Sequence, residues 1–156
     1  MGDAWDHCTN TALKRASRRL GQLYDAVLAP AGLRSTQHAL LAQIRRSDGP
    51  TQRMLADAMA MDLSALGHTL KPLLRDGLVT LEPDARDRRA KRVRLTPTGE
   101  ARHDRALALW RVAQARFDAA FGAEASADLR ATLARLGSAQ FAAAFTRVED
   151  GEATPT

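Results

Sequence analysis

The sequence has few of the residues that build covalent or metal-held structure. Its one cysteine, Cys8, excludes an intramolecular disulfide and is typical of a reducing compartment. The four histidines are scattered, and the sequence contains no metal-ligand cluster, no Ser-His-Asp spacing and no phosphate-binding glycine loop. We therefore expect no metal site, no cofactor and no enzymatic activity.

Long apolar runs are missing as well. No run of about 18 apolar residues occurs, and the first eight residues, MGDAWDHC, lack the basic start and apolar stretch of a secretion signal. The length of 156 residues suits one domain, or one small domain with helical extensions. The sequence thus predicts a soluble cytoplasmic protein with no membrane contact.

Positive charge is concentrated in the first part of the chain. Residues 1–94 contain 16 Lys and Arg against 10 Asp and Glu, whereas residues 95–156 contain 7 against 8. The formal net charge of +5 and the isoelectric point near 10.3 favour a polyanionic partner. The first part is the one that we expect to face phosphates.

Apolar residues recur three and four positions apart in six stretches, and this spacing predicts amphipathic helices. Pro30 and Gly32 end the first helix, and Thr96 with Pro97 begins the fifth. The predicted helices run from Cys8 to Leu28, from the N-cap Ser35 through Ile44, from the N-cap Thr51 with Met54, Leu55, Ala58 and Met59 inward, from Leu63 to the stop at Gly77, from Pro97 to Phe121, and from about Ser126 onward.

The fourth helix has two chemically different faces. Leucines occupy the face that we expect to be buried, whereas the opposite face is small, polar and cationic. The buried face comprises Leu63, Leu66, Leu70, Leu73 and Leu74, and the opposite face comprises Ser64, Ala65, His68, Lys71, Pro72 and Arg75.

Two short alternating apolar runs, LVTLE and KRVRL, predict a two-stranded ribbon. The loop between them carries Arg86, Arg88 and Arg89. A solvated charged turn is the simpler explanation of such a run, but a guanidinium-tipped ribbon that directly follows a helix is what a protein needs to enter a DNA groove. Asp87 lies between two of these arginines, and we expect an ion pair between Asp87 and Arg89 to hold the loop in shape.

The order of the elements predicts a mainly α fold, a winged helix-turn-helix with helical arms on both sides. Residues 34–96 form the DNA-binding lobe in this prediction. Residues 1–33 and 97–148 form the arms, and residues 149–156 form a disordered tail.

Such a fold predicts how the chain would contact double-stranded DNA. The short side chains near the start of the fourth helix let it lie deep in a major groove, where Ser64 and His68 can meet base edges. Lys71 and Arg75 lie further along the same face and can approach phosphates or base edges. The arginine loop would reach the neighbouring minor groove.

The chain resembles the MarR family of bacterial transcriptional regulators over nearly its whole length. The segments that carry the resemblance are LAPAGLRSTQHALLAQI (28–44), LKPLLRDGLV (70–79) and, above all, DARDRRAKRVRLTPTGE (84–100). The resemblance implies a homodimer, formed by pairing of the N- and C-terminal helices, that binds a palindromic operator in double-stranded DNA and usually represses transcription. A small phenolic or lipophilic effector, or an oxidant, often releases the DNA in such proteins.

The resemblance also implies roles for particular residues. Asp87 and Arg89 match the acid and the minor-groove arginine of the family's wing. The stretch that reads bases in the family corresponds here to Ser64, Ala65, Gly67, His68 and Thr69.

An effector would need a cavity between the arms and the lobe. Arg15 or Arg18 could supply the counter-charge for an anionic effector there, although a solvated helix face explains both residues as well. Tyr24, His38 and Trp110 are further candidates for lining the pocket, with core packing as the alternative.

Cys8 offers a second kind of signal. Some regulators of this family sense hydroperoxides through a reactive cysteine near the start of the first helix, and nearby His7, Lys14 and Arg15 could lower the pKa of the Cys8 thiol. The segment ASRRLGQLYD aligns the reactive position with about Asn10 instead, which favours a bystander thiol. An architectural protein that coats DNA without base selectivity is the remaining alternative.

Overall fold

Seven α-helices and one two-stranded antiparallel sheet form the part of the chain that the computed structural model describes, residues 7–87 and 89–147. The mainly α, winged helix-turn-helix architecture predicted from the sequence is confirmed. No helix in these residues is long and apolar enough to cross a lipid bilayer. The helices are α1 (Thr9–Leu28), α2 (Ser35–Arg46), α3 (Gln52–Ala58), α4 (Leu63–Arg75), α5 (Pro97–Phe121), α6 (Ala123–Leu136) and α7 (Ala139–Arg147), and the strands are β1 (Val79–Pro83) and β2 (Lys91–Leu95).

Side-chain caps set the starts of the two helices that form the helix-turn-helix, α3 and α4. Thr51 Oγ1 accepts the backbone N–H of Met54 at 3.2 Å, and Asp62 Oδ1 accepts the backbone N–H of Ala65 at 2.7 Å. Each cap satisfies an N–H that the first helical turn leaves without a partner in the helix. The predicted starts of both helices are therefore confirmed.

The predicted N-cap of α2 is wrong by one residue. Ser35 is the first residue of the helix, and Arg34 takes the N-cap position. The backbone N–H of Ser35 donates to Asp25 Oδ1 at 2.6 Å, and the backbone N–H of Arg34 donates to Gln37 Oε1 at 2.9 Å. The serine hydroxyl is not needed as a cap because a carboxylate from α1 already satisfies the helix start, and this long-range contact leaves no local pattern in the sequence.

The C-terminal region contains two helices where the sequence predicts one. The helix predicted from about Ser126 begins at Ala123 and ends at Leu136, and Gly137 and Ser138 separate it from α7. Ser138 Oγ accepts the backbone N–H of Phe141 at 3.1 Å and so caps the second helix. The apolar spacing continues across this break, which is why periodicity alone did not reveal it.

A leucine-rich core holds α2, α4 and the sheet together. Leu66, Leu70 and Leu73 of α4 are each 1% exposed, as the predicted buried face requires. Full burial of one such side chain contributes about 1.5 to 3 kcal/mol, so this face fixes the orientation of α4. The same cluster also includes Leu28, Leu33, Leu40, Leu41, Ile44, Leu55, Leu78, Val79 and Val93.

Three apolar residues predicted to point inward do not. Met54 and Leu63 are 53% and 49% exposed, and Ala58 is exposed as well. The seven-residue helix α3 buries Leu55 and Ala56, and Leu63 is the first residue of α4. Residues in short helices and first turns have neighbours on fewer sides, so apolar spacing predicts their burial poorly.

The chain forms two compact units, one ending at Ala113 and the other beginning at Gln114. The first unit contains the helix-turn-helix and the sheet together with α1. In the second unit the rings of Phe117 and Phe121 are stacked with centroids 5.3 Å apart. The predicted division into a lobe at 34–96 and two arms stays a prediction, and the predicted tail at 149–156 lies outside the described residues.

The start of α5 depends on a glycine. Thr96 Oγ1 accepts the backbone N–H of Gly99 at 3.0 Å and donates to the carbonyl oxygen of Gly77 at 2.6 Å, as the Thr-Pro start predicts. A Cβ at Gly99 would lie 1.9 Å from the carbonyl oxygen of Leu78. Only glycine therefore lets α5 pack this closely against the chain that enters β1.

Gly99→Ala is expected to destabilise the fold by about 1 to 3 kcal/mol, because the added methyl group forces the helix start away from Leu78. Gly21→Ala is the matched control: Gly21 lies inside α1, and a Cβ there meets nothing within 4 Å. The control is expected to gain up to about 1 kcal/mol of stability from helix propensity. Denaturant unfolding followed by circular dichroism measures both, and a Gly99→Ala protein as stable as the wild type would contradict the close packing.

Candidate DNA-binding surface and effector pocket

The exposed face of α4 carries four of the predicted DNA-contact residues. Ser64, Gly67, His68 and Lys71 are exposed, and they lie on one side of the helix because they are three and four positions apart. The buried leucines fix the opposite side in the core. Small and polar groups therefore occupy the side of α4 that faces away from the core, and this helix side can approach another molecule closely.

Three further residues of this predicted set are less available for a contact with DNA, two because of burial and one because of an ion pair. Ala65 and Thr69 are half-buried, and the Thr69 hydroxyl donates to the carbonyl oxygen of Ala65 at 3.1 Å. Arg75 is exposed, but its Nε donates to Asp76 Oδ1 at 2.8 Å. The hydrogen bond from Arg75 lowers the pKa of the Asp76 carboxyl. Because its charge is shared with Asp76, Arg75 is a weaker candidate for a phosphate contact than Lys71.

Asp84 organises the loop between the strands, a role that the sequence analysis did not assign. Its side chain is almost fully buried. Oδ1 accepts the backbone N–H groups of Arg86 at 2.7 Å and Asp87 at 3.0 Å, and Oδ2 accepts Nε–H of Arg92. The backbone hydrogen bonds first, and then Arg92, hold the pKa of this carboxyl below its usual value of 3.8. The sequence did contain a signal for this role, because Asp84 lies just after a predicted strand, near the start of a loop without glycine.

Asp87 contributes to the loop through the backbone. Its Oδ1 accepts the backbone N–H of Arg89 at 2.9 Å, and its carbonyl oxygen accepts the N–H of Ala90 at 2.9 Å. The ion pair expected between the Asp87 carboxylate and the Arg89 guanidinium is not found among the described residues; the carboxylate contacts the backbone of Arg89 instead. Arg89 therefore keeps its guanidinium available. Arg88 lies outside the described residues.

The two strands and the loop between them, residues 79–95, form the wing. Two of its basic residues are neutralised within the fold. Arg92 pairs with Asp84 and donates from Nη1 to the carbonyl oxygen of Gly49 at 2.7 Å. Arg94 pairs with Glu82, Nε to Oε2 at 3.1 Å, and approaches Asp48 at 3.7 Å. These contacts tie the sheet to the turn between α2 and α3, and Thr51 adds a backbone bridge to Arg92. The positive charges of the wing that stay available to another molecule are those at the tip of its loop and at its outer edge.

A groove of about 370 Å³ lies between the wing and the first residues of α3 and α4. Arg53, Arg89 and Lys91 line this groove beside Leu63, and among the described residues these three cations make no ion pair with a carboxylate. Sequence reasoning missed Arg53 and Lys91, because neither belongs to the arginine cluster or to the helix face that it singled out. The groove brings α3, α4 and the wing together, and its lining holds these three cations and one carboxylate, that of Asp87, which accepts the backbone N–H of Arg89.

A second cavity, of about 440 Å³, lies between α1, α2 and α5. Three predicted pocket residues, Tyr24, His38 and Trp110, line it together. Arg46 supplies positive charge at this cavity and hydrogen-bonds Gln43. The remaining lining residues are Ser35, Ala39, Ala42, Met59 and Leu107.

Arg15 and Arg18 do not line this cavity. Both are exposed on α1, and Tyr24 is the residue of α1 that reaches the cavity. At a rise of 1.5 Å per residue the two arginines lie about 9 to 14 Å further along the helix axis from Tyr24. The exposed positions of Arg15 and Arg18 fit the solvated-face interpretation, and their role as counter-charges for an effector stays a prediction.

Cys8 occupies the N-cap position of α1. The Thr11 hydroxyl donates to its Sγ at 3.3 Å. The hydrogen bond from the Thr11 side chain, with a smaller contribution from Lys14, lowers the pKa of the thiol from 9.0. Thr11 rather than a neighbouring basic residue is therefore the main cause, and the redox alternative stays a prediction.

Asp84→Ala is expected to release the loop, because the backbone N–H groups of Arg86 and Asp87 lose their acceptor and Arg92 loses its counter-charge. Amide hydrogen exchange at those two positions should accelerate roughly tenfold. Asp87→Ala is the control, since it removes only the acceptor for Arg89. Because the fold lowers the pKa of Asp84, the stability that this carboxylate adds to the loop is present in full above about pH 4. It is lost as pH falls through the lowered pKa. Unchanged exchange in Asp84→Ala would contradict its organising role.

Comparison with known proteins gives consistent matches. A sequence profile of the MarR family matches residues 31–90. The multiple antibiotic resistance protein MarR of Salmonella typhimurium is 32% identical over 85 residues, which span 54% of this chain and only 59% of that protein's length.

Solved structures match over a larger share of the chain. The M. tuberculosis transcriptional regulator MosR, crystallised in complex with DNA, is 38% identical with a TM-score of 0.78, over 87% of this chain and 98% of that one. The transcriptional repressor CouR, bound to a 23-mer DNA duplex, is 25% identical with a TM-score of 0.77, over 85% and 94% of the two chains. With the winged fold, the matching profile and this near full-length similarity, the chain belongs to the MarR family of transcriptional regulators, whose members are not enzymes.

Proposed function

We propose that this protein is a cytoplasmic, homodimeric transcriptional repressor that binds a palindromic DNA operator and is released by a small anionic aromatic effector. The observation that carries the proposal is the groove between α3, α4 and the wing, where the cations Arg53, Arg89 and Lys91 have no carboxylate partner among the described residues. Unpaired cations around a helix with small exposed side chains suit a DNA backbone and an open major groove.

In this proposal α4 enters the major groove. Ser64 and His68 meet base edges, and Lys71 follows along the same face. The wing would bring Arg86 and Arg89 to the adjacent minor groove, whose negative potential attracts guanidinium groups, and the same contact is proposed for Arg88, which lies outside the described residues. Phosphate contacts supply most of the affinity, whereas base contacts supply the selectivity.

Arg53 and Lys91 would contact the phosphates between the two grooves. Both line the space that separates α4 from the wing, and the DNA backbone between a major and a minor groove must pass through that space. Leu63 lies in the same groove and is half exposed, so it can contact sugars or a thymine methyl group.

Dimerisation accounts for the apolar residues left exposed on the helices. A dimer formed by the terminal helices would cover them and place two copies of α4 about 34 Å apart, one turn of duplex DNA, which requires a palindromic operator. The MosR and CouR structures were both determined with DNA bound, which supports the proposal that this chain binds DNA. The exposed residues in question are Leu13, Leu23, Val112, Phe121, Leu133, Phe141 and Phe145.

The cavity between α1, α2 and α5 is the proposed effector site. Trp110 and Tyr24 offer ring surfaces, and Arg46 offers a positive charge with no carboxylate partner among the described residues. An aromatic body with a carboxylate or phenolate group matches that chemistry. The effector would bind between helices and so could change the distance between the two recognition helices of the dimer. It would release DNA only if it binds more tightly to the distance that does not fit DNA than to the distance that does.

Arg89→Ala is expected to weaken operator binding by about 1 to 3 kcal/mol, because the minor-groove contact is lost. The operator is first located by footprinting the DNA upstream of the protein's own gene. A shift assay at fixed salt then compares the variant with Arg19→Ala, whose removed cation lies exposed on α1. Wild-type affinity in Arg89→Ala would count against the wing contact.

The same assay separates this function from architectural DNA binding. A sequence-specific regulator binds its operator at least about a thousandfold more tightly than a random duplex of equal length. Equal affinity for the two duplexes would favour a protein that coats DNA without base selectivity, and no affinity for either would reject DNA binding altogether.

Arg46→Gln is expected to reduce the response to an anionic effector. Benzoate, 4-hydroxybenzoate and the uncharged benzamide serve as probes of operator release. An active carboxylate should need a roughly two- to fivefold higher concentration in the variant, because a partly exposed charge pair contributes little more than that, while benzamide stays inactive in both proteins. Arg15→Gln is the matched control outside the cavity. A loss of response in Arg15→Gln but not in Arg46→Gln would reverse the assignment.

A further inference from the structure

Two buried histidines are stacked where α2 meets α5, and the proposed function uses neither as an acid or a base. The rings of His38 and His103 have centroids 5.3 Å apart and an interplanar angle of 25°. The two residues are 5% and 4% exposed. His38 is also part of the cavity wall, so this pair lies directly beside the proposed effector site.

His103 Nδ1 lies between a guanidinium and a carboxylate. Arg45 Nη1 lies 3.0 Å from His103 Nδ1. A guanidinium can only donate hydrogen bonds, so Nδ1 must accept and cannot carry a proton at the same time. A proton on Nδ1 would break this hydrogen bond and place two positive charges in contact. Asp104 Oδ1 pairs with Arg45 and lies 3.5 Å from the same Nδ1. If Arg45 moves away, this oxygen can accept a hydrogen bond from a protonated Nδ1.

The surroundings of His38 disfavour its charged form too. Its Nδ1 is buried and has no hydrogen-bond partner among the described residues. Burial, and then the neighbouring His103, lowers the pKa of His38 from its usual 6.5. A charged imidazole there would have one N–H without an acceptor and would lie against a second imidazole.

The other charged and titratable groups around the pair come from three elements. Arg45 and Arg46 extend from α2, and Glu100 and Asp104 from α5; Glu100 Oε2 lies 3.4 Å from Arg45 Nε. Tyr24 of α1 lines the same cavity wall. The carboxylates engage Arg45 on the His103 side. Among the described residues no carboxylate lines the cavity beside His38, so that side offers no negative charge to stabilise a charged His38.

We infer that the stacked pair His38 and His103 is a proton-sensitive joint between α2 and α5, and that proton uptake by this pair loosens the joint and weakens DNA binding. The part that concerns DNA rests on the proposed function. α2 packs against α4 and against β2, and α5 follows β2 directly. A change in how α2 meets α5 therefore reaches the recognition helix and the wing together.

The direction of the pH dependence follows from the chemistry. The fold disfavours a charge on the buried His38, so the stabilising contribution of the joint is present in full above about pH 6.5 and is lost as pH falls through the lowered pKa of His38. Mild acid therefore acts in the same direction as an effector that releases DNA. A ligand in the cavity beside His38 and a proton on the pair are expected to reinforce each other.

The test compares His38→Gln with the wild type, and a separate His68→Gln variant shows how much of the pH dependence comes from the histidine on the recognition face. Thermal unfolding and operator affinity are measured at pH 7.5 and pH 5.5. The protein with the intact pair should lose at least about fivefold more operator affinity on acidification than His38→Gln does, and its melting temperature should fall further. His103→Gln should reduce the pH dependence in the same way.

Each outcome decides the matter. Equal pH dependence in the intact and substituted proteins overturns the inference, as does a pH dependence confined to the melting temperature, which would make the pair structural only. If both substituted proteins fail to fold, imidazole proton NMR of the wild type replaces them: with four histidines in the chain, linked titration of two buried rings supports the inference, and four independent titrations overturn it. Failure of the wild type to bind its operator at pH 7.5 would reject the proposed function instead, while the melting and NMR measurements still test the joint.

Discussion

The arrangement of the wing depends on one buried carboxylate. Asp84 accepts two backbone N–H groups of the loop and pairs with Arg92, which in turn contacts the carbonyl oxygen of Gly49. A charge this deep in the protein is tolerated only because donors surround it. Through these contacts the tip of the wing is fixed relative to the turn between α2 and α3, and hence relative to the helices that follow.

The charge of the groove surface depends on which of the nearby cations have carboxylate partners. Arg92 and Arg94 are held within the fold by Asp84, Glu82 and Asp48, so they position the wing and do not contribute free charge. Arg53 and Lys91 lie at the groove with no such partner among the described residues. The groove therefore keeps positive charge available for a partner, and the same principle applies at the cavity, where Arg46 is the cation beside apolar ring surfaces.

Much of the fold could be predicted because the relevant signals are local. The leucine spacing of α4, the Asp62 and Thr51 caps and the alternating strands each involve residues a few positions apart. The same locality explains the errors. The start of α2 depends on Asp25, ten residues earlier in the chain, and the break after α6 depends on Gly137 and Ser138 within an uninterrupted apolar pattern.

By itself the sequence determined the order of the elements from α1 to α5, the buried face of α4 and the arginine-rich tip of the wing, because periodicity, capping and turn chemistry act between near neighbours. Only the tertiary structure decided which charges are paired and which are free. It brought the Asp84 carboxylate to Arg92, placed Arg46 in the wall of the cavity, and stacked His38 on His103, which lies 65 residues further along the chain. Hydrogen bonds and ion pairs act over a few ångströms in space, and that distance bears no relation to separation along the chain.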